Sequence, residues 1–379
     1  MSMTNVWQPK AGRRPVDGPS LESLFSYGFR PFFLAAAAFS TILMTVWLGW
    51  IVSLAHGGTG AWLPVAGSPF AWHAHEMILG FAGAAIAGFL LTAVPNWTGA
   101  LPLSGTPLVV LFTVWLAGRI AMAVSALVPY GLAAAIDLAF LPLLGVFAAR
   151  QLMIKPAPRN LVFLAILAAI TLANAAYHLS VLQLIAIDPL AAVRTGLLAV
   201  AMMIAIIGGR IIPAFTHNWL HQTGWAGSMP RKVDELDAAA ILAIAAVLLA
   251  KIGGAPPELT GALALLAAAF NAIRLFLWQG WATLSEPIVW VLHLGYAWLV
   301  VGLLLTGLSS FSGGTLDTFA SHALGTGAAG TMILAVMSRA SLGHTGRPIK
   351  APPAITISYI CVTLAALLRI AGPLLLPGA

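Results

Sequence analysis

Long apolar runs recur along the chain and are separated by short polar breaks. A run of about 20 apolar residues is long enough for an α-helix to cross the hydrocarbon core of a bilayer. The backbone must satisfy its own hydrogen bonds in lipid, and the alternation typical of a β-barrel is missing from the sequence. The pattern therefore predicts eleven membrane-spanning helices, at about 30–55, 72–96, 106–128, 130–150, 159–186, 189–214, 234–252, 256–281, 286–309, 317–340 and 352–377.

Composition supports this interpretation, because 60% of the residues are hydrophobic and only 8% are charged. A soluble domain of this length carries a much larger charged fraction. We predict an all-α, polytopic transmembrane helical bundle. Residues 1–29 form a cytoplasmic N-terminal segment without a cleavable signal, and residues 30–379 form a single transmembrane domain.

The 18 lysines and arginines give a formal net charge of +7. Most of them fall in or near cytoplasmic segments if the N-terminus is cytoplasmic, and the positive-inside rule favours that orientation. The basic charge is then explained by anionic lipid, and we predict no nucleic-acid partner. Cys361 is the only cysteine, which excludes disulfides, CxxCH haem attachment and iron–sulfur ligation by several thiolates.

Four histidines from three predicted helices fall at one depth. Counted at 1.5 Å per residue, they lie within roughly 12 Å of the outer boundary of the membrane. A single intramembrane histidine more often bonds to a neighbouring helix than to a metal, but four at one depth favour a metal or haem site. The histidines are His73, His75, His178 and His322, and the layer also contains Glu76, Arg119 and Asp137.

His73 and His75 are two residues apart, which places them about 200° apart around an α-helix. They therefore address two different sites on opposite sides of the helix. Such a pair suits two haems, or a haem beside a second metal. Glu76 is predicted as a partner of His73 or as a proton donor.

A second polar group is predicted on the cytoplasmic side. Its candidate metal ligands are His293 and His344, and Arg210 and Arg339 suit propionate or another carboxylate, although both also suit lipid phosphate. His217 and His221 are four residues apart, which is a metal-ligand spacing, but interfacial histidines also extend simply towards water.

Three segments, 83–99, 196–219 and 325–346, begin rich in glycine and end polar on the cytoplasmic side. They fall on the second, sixth and tenth predicted helices. This period of four helices would correspond to a threefold four-helix pseudo-repeat, although small-residue helices are common in membranes.

The motifs YGFRPFFL (27–34), WHAHEMILGFAGAAIAGFLLTAVPNWTG (72–99), GGRIIPAFTHNWL (208–220), LHLGYAWL (292–299) and HALGTGAAGTMILAVMSRASLGHTGRP (322–348) resemble the NnrS family over nearly the whole chain. The resemblance implies a bacterial inner-membrane protein that contains haem and copper and usually has twelve helices. With the eleven apolar runs of this sequence, we predict about 11–12 helices. The resemblance also implies a role in the nitric oxide response, in protection during denitrification or nitrosative stress. The matching positions are His73, His75, Glu76, Arg210, His293, His322, Arg339 and His344, and His178 matches less distinctively.

We therefore predict a haem b and copper protein that binds nitric oxide and reduces it with electrons from an unidentified donor. If it is an enzyme, it is an oxidoreductase resembling nitric oxide reductases, with Glu76 as a catalytic group. We predict His75 and His322 as haem ligands, and His73 and His178 as ligands that complete a second haem or copper site. Two alternatives stay open: a transporter or handler of metal–nitrosyl species, and a nitric oxide sensor that does not catalyse a reaction.

Overall fold

The computed structural model describes residues 20–375. The first nineteen residues of the predicted N-terminal segment, with Lys10, Arg13 and Arg14, lie outside the described residues, as do residues 376–379. The orientation of the N-terminus stays a prediction.

Within residues 20–375 all regular secondary structure is helical. A short helix, Leu21–Leu24, precedes the first long one. The long helices and their segments are Phe29–Ala55, Pro69–His75, Glu76–Phe81, Ala82–Thr98, Thr106–Ala123, Tyr130–Leu138, Phe140–Leu152, Pro158–Val181, Pro189–Gln222, Asp234–Ile252, Pro257–Leu277, Pro287–Phe311, Asp317–His322, Ala323–Gly330, Thr331–His344 and Pro353–Leu375. A short 3-10 helix, Gly280–Thr283, precedes Pro287–Phe311.

Ten helices of the described chain are long and apolar enough to cross a membrane. This finding confirms the polytopic helical bundle. The remaining predicted span, 234–252, is also a helix, Asp234–Ile252, but three acidic residues in its first turn set it apart from the ten.

Local sequence signals explain many helix ends. Proline stands in the first turn of several helices, as at Pro69, Pro158 and Pro287, where its missing N–H is not needed. The long second span ends at Gly99, whose left-handed conformation (φ 76°) suits glycine and closes the helix.

The chain divides into two compact units, a first unit that covers described residues 20–196 and a second that covers 197–375. In the first unit, helix Ala82–Thr98 packs against Phe29–Ala55 and Phe140–Leu152. The approach to the first of these helices is close, because a Cβ on Gly88 would lie 2.6 Å from the ring of Phe33. The predicted single domain and pseudo-repeat stay predictions.

In the second unit, helix Pro287–Phe311 lies against Pro257–Leu277 and against the segment Ala323–Gly330. Gly261 and Gly307 face each other, and a Cβ on either would lie 3.1 Å from the carbonyl oxygen of the other. Small residues thus allow close backbone approach, as is usual in membrane bundles.

Two of the spans contain a π-helical segment, Glu76–Phe81 in the first unit and Ala323–Gly330 in the second. Each segment begins immediately after a histidine, His75 or His322. π-helical turns are rare and are found frequently at functional sites, so both segments indicate candidate functional positions.

Candidate functional site

In the first unit, the structure brings His75 and His178 together with a third side chain, Asp137. His75 ends helix Pro69–His75, and His178 lies one turn before the end of Pro158–Val181. One ligand atom from each of the three residues lies within 4.8 Å of the other two, and all three residues are buried. Two imidazoles and a carboxylate form a suitable donor set for a first-row transition-metal ion.

Asn174 and Asp137 form a chain of hydrogen bonds between His75 and His178. Its amide nitrogen donates to Asp137 Oδ2 (2.8 Å), and the same oxygen accepts from His178 Nε2 (2.9 Å). The amide oxygen of Asn174 is therefore turned towards His75 Nε2, 2.9 Å away. His75 Nε2 lies only 3.4 Å from Asp137 Oδ2, so the potential ligand atoms already face one another.

Arg119 forms ion pairs with both buried carboxylates. Its guanidinium donates to Glu76 Oε1 at 2.5 Å and to Asp137 Oδ1. Glu76 Oε1 also accepts from His75 Nδ1 at 2.9 Å. Both ring nitrogens of His75 thus face acceptor oxygens, and a cation lies beside each carboxylate, as buried charges require.

Gly80, in the π-helical segment after His75, leaves room for Arg119. A Cβ on Gly80 would lie 2.8 Å from Arg119 Nη1 and 2.8 Å from the ring of Phe39. The carbonyl oxygen of Gly80 accepts a hydrogen bond from Trp115 Nε1 at 3.0 Å. Glycine and the tryptophan donor therefore hold the irregular turn beside the polar cluster.

Two tyrosines complete the surroundings of the histidines. The hydroxyl of Tyr130 donates to His178 Nδ1 at 2.9 Å, while Nε2 of the same ring donates to Asp137. The ring of Tyr177 packs on that of His75 with centroids 4.3 Å apart.

Sequence reasoning placed Arg119 and Asp137 in the same layer as the histidines, but it missed Asn174, Tyr130 and Tyr177. The signal for Asn174 was its position four residues before His178, which puts both on one helical face.

His73 contacts a different helix from His75. Its ring stacks on Trp47 of helix Phe29–Ala55, with centroids 4.2 Å apart and planes at 11°. His75 instead packs against helix Pro158–Val181. The two rings thus contact different helices, and their assignment to two different sites stays a prediction.

In the second unit, His322 is partly exposed and has a fixed tautomer. Its Nδ1 lies 2.8 Å from the carbonyl oxygen of Thr318 and donates to it. Nε2 consequently carries a lone pair, and this atom faces the guanidinium of Arg369 at 3.2 and 3.3 Å. An Nδ1–H bonded to a backbone carbonyl is a common way to prepare Nε2 for a metal.

The other predicted residues of the second unit lie elsewhere on it. His293 Nε2 lies 2.8 Å from Thr216 Oγ1, and its Nδ1 has no hydrogen-bond partner within residues 20–375. The guanidinium of Arg339 lies over the ring of Phe215, 3.6 Å from the centroid.

His344 ends helix Thr331–His344, and Arg210 lies on helix Pro189–Gln222. A single site shared by His75 and His322 stays a prediction, as does the common depth of the four histidines.

A fully buried arginine, Arg274, explains the glycine pair in the motif GGR. It donates to Asp237 Oδ1 (2.7 Å) and to the hydroxyl of Tyr296 (2.6 Å). A Cβ on Gly209 would overlap this guanidinium, and one on Gly208 would lie 2.8 Å from the ring of Tyr296. The pair therefore has a packing role on this helix.

The surroundings of His75 fit a small ion and do not fit a porphyrin. The side chain is 0% exposed, both of its ring nitrogens are hydrogen-bonded, and its faces are covered by Tyr177 and His178. A haem iron needs an open Nε2 with flat space beyond it. His322 Nε2 accepts from the exposed Arg369, so a haem iron at this atom requires Arg369 to move aside, where its guanidinium suits a propionate.

The model of the family described as NnrS protein matches residues 23–379 of the chain. No curated protein matches it.

Proposed function

The chain belongs to the NnrS family, and from this premise we propose that it binds nitric oxide and removes it by reduction. Family membership establishes a multi-pass membrane protein of the nitric oxide response. The observation that supports the finer proposal is the buried cluster of His75, Asp137 and His178 inside membrane-spanning helices. Ionisable side chains at such positions are costly and are usually retained for function.

We propose that these three residues hold one copper ion. Copper lies at the top of the stability order for imidazole and carboxylate ligands among first-row divalent ions. The ion would replace the protons that His75 and His178 carry on Nε2, so binding releases protons. Asn174 and Tyr130 would then orient the ligands from outside the coordination sphere.

We assign haem b to His322 on the basis of its prepared Nε2 and its neighbour Arg369. The haem is held non-covalently, because the chain lacks the cysteines of a CxxCH motif. His75, which the sequence also suggested as a haem ligand, serves the small ion in this assignment. His73, His293 and His344 remain candidate ligands, and Arg210 and Arg339 remain candidate partners of propionates.

The proposed reaction joins two molecules of nitric oxide into nitrous oxide. Two electrons from an external one-electron donor and two protons convert one oxygen atom into water, as 2 NO + 2 e⁻ + 2 H⁺ → N₂O + H₂O. Bound haem iron and copper would supply redox-active sites for nitric oxide. The chain itself supplies a buried environment, in which Glu76 is 1% exposed.

Glu76 holds the ring of His75 in place through Nδ1. The proposed role of Glu76 as a proton donor requires Arg119 to release its carboxylate first, because that carboxylate already accepts from two donors.

The test is the metal and haem content of the protein purified in detergent, together with absorption spectra before and after nitric oxide. We expect His178→Ala to lose copper and keep haem, and His322→Ala to lose haem and keep copper. The exposed loop residue His56 provides a matched control, since His56→Ala should keep both. Consumption of nitric oxide, followed with an electrode and an ascorbate-reduced mediator, should stop in both of the first two variants.

Haem retained in His322→Ala would reject the haem assignment, and copper retained in His178→Ala would reject the copper assignment. A colourless, metal-free protein would reject both and favour the transporter interpretation. A protein that binds nitric oxide but does not consume it would favour sensing.

A further inference from the structure

Two exposed histidines near the end of helix Pro189–Gln222 have no part in the proposed reaction. His217 and His221 are four residues apart on one uninterrupted stretch of helix. Their rings are nearly parallel, with planes at 14° and centroids 6.3 Å apart. Both side chains are exposed, so their nitrogens are accessible from solution.

The outward orientation of His217 and His221 follows from the burial of Thr216. Thr216, the preceding residue, is fully buried and contacts His293, which turns the adjoining positions outwards. Within residues 20–375, no hydrogen bond or ion pair engages the rings of His217 and His221. Their lone pairs therefore remain available for a ligand.

Imidazoles at positions i and i+4 lie on one face of a helix and can bind the same ion. Metal–nitrogen bonds of about 2.0–2.1 Å in a tetrahedral site place the two nitrogens about 3.4 Å apart. Because both side chains are exposed and lie one helical turn apart, we expect rotation about their side-chain bonds to bring the two nitrogens to this distance.

We propose that His217 and His221 chelate one divalent transition-metal ion, with water in the remaining positions. Neutral imidazole suits copper, zinc and nickel, and the Irving–Williams order places Cu(II) above Zn(II) at such a site. With only two protein ligands and open coordination positions, the ion exchanges with solution. The proposal does not depend on the proposed function, because it concerns neither haem nor the buried cluster.

The experiment is a titration of the full-length protein, as purified with its resident metals, with added Cu(II) followed by electron paramagnetic resonance and calorimetry. We expect one added equivalent with nitrogen hyperfine coupling. His217→Ala and His221→Ala should each weaken that same equivalent by at least tenfold, the scale seen even for changes outside a coordination sphere. His56→Ala is the control and should bind as the unaltered protein does.

A spacing variant tests chelation directly. The double substitution His221→Ala with Gln222→His keeps two histidines but places them five residues apart, so the tight equivalent should disappear. The proposal is overturned if either single substitution leaves the affinity unchanged, if each removes a separate equivalent, or if the spacing variant binds normally. Binding of Zn(II) tighter than Cu(II) would also contradict it.

Discussion

Two spans of this protein interrupt their α-helix at the same kind of place, yet they surround the preceding histidine in opposite ways. Pro69–His75 gives way to the π-helical segment Glu76–Phe81, and Asp317–His322 gives way to Ala323–Gly330. His75 is fully buried, and each of its ring nitrogens contacts a polar side chain. His322 is partly exposed, and its Nδ1 is held by the backbone of its own helix.

The difference shows that one backbone feature can place a histidine in two different environments. A closed network of opposite charges around His75 favours a small cation that replaces protons. At His322 the tautomer is fixed and Nε2 contacts the exposed Arg369, which favours a larger ligand that displaces this arginine from outside the helix. The side chains that surround each histidine therefore determine which kind of ligand it can bind.

If the two π-helical segments position separate ligands, deleting one residue from each should separate their effects. Deletion of Met77 rotates His75 by about 100° relative to the rest of its span. We expect complete loss of copper with haem retained. Deletion of Thr326 should do the reverse. Metal analysis and the haem spectrum check both variants, and loss of both groups from either deletion would show that the two sites are not independent.

The next largest effect is expected from Asp137→Asn. This change removes a proposed ligand and leaves Arg119 with one carboxylate, and breaking a buried ion pair costs about 3–5 kcal/mol. Thermal unfolding in detergent should shift down strongly, and copper should be lost. Asp188→Asn, on an exposed loop, is the control. An unchanged unfolding temperature would mean that the charge network around His75 is not important for stability.

A smaller effect is expected where a residue only orients a ligand. Tyr130→Phe removes the hydrogen bond to His178 Nδ1, and such changes weaken metal affinity by about 10–100-fold. Tyr177→Phe is matched to it, because Tyr177 contacts His75 through its ring. A competition titration with a copper chelator measures both. Equal affinities in the two variants would contradict the orienting role of the Tyr130 hydroxyl.

The smallest effect is expected from packing at the first π-helical segment. In Gly80→Ala the new methyl group meets Arg119 and Phe39, and overpacking of this kind costs about 1–3 kcal/mol. Gly145→Ala places its methyl group in open space and should be neutral or slightly stabilising. Thermal unfolding of the two variants in detergent measures this difference. Equal unfolding temperatures would show that the side chains of Arg119 and Phe39 can shift to accommodate the methyl group.

The sequence predicted the position of each helix well, because apolar runs of membrane length leave the backbone few alternatives. It also placed Glu76, Arg119 and Asp137 in one layer, from helix direction and rise alone. The eleventh predicted span, helix Asp234–Ile252, differs from the ten apolar helices in its acidic first turn.

The π-helical segments could not be predicted from the sequence. A change of hydrogen-bond register by one residue has no composition signal, and contacts such as Trp115 with the carbonyl of Gly80 help to hold it. For the same reason, angular positions counted on a regular helix do not hold beyond His75.

The sequence by itself determined a helical membrane protein, its family and the small set of histidines that merit attention, since hydropathy and motif are properties of the linear chain. Only the tertiary structure decided which of these side chains meet. The contact of His75 with Asn174 depends on a residue 99 positions away, and that of His178 with Asp137 on one 41 positions away. Helix packing determines the distances between such residues, and these distances cannot be predicted from a local sequence pattern.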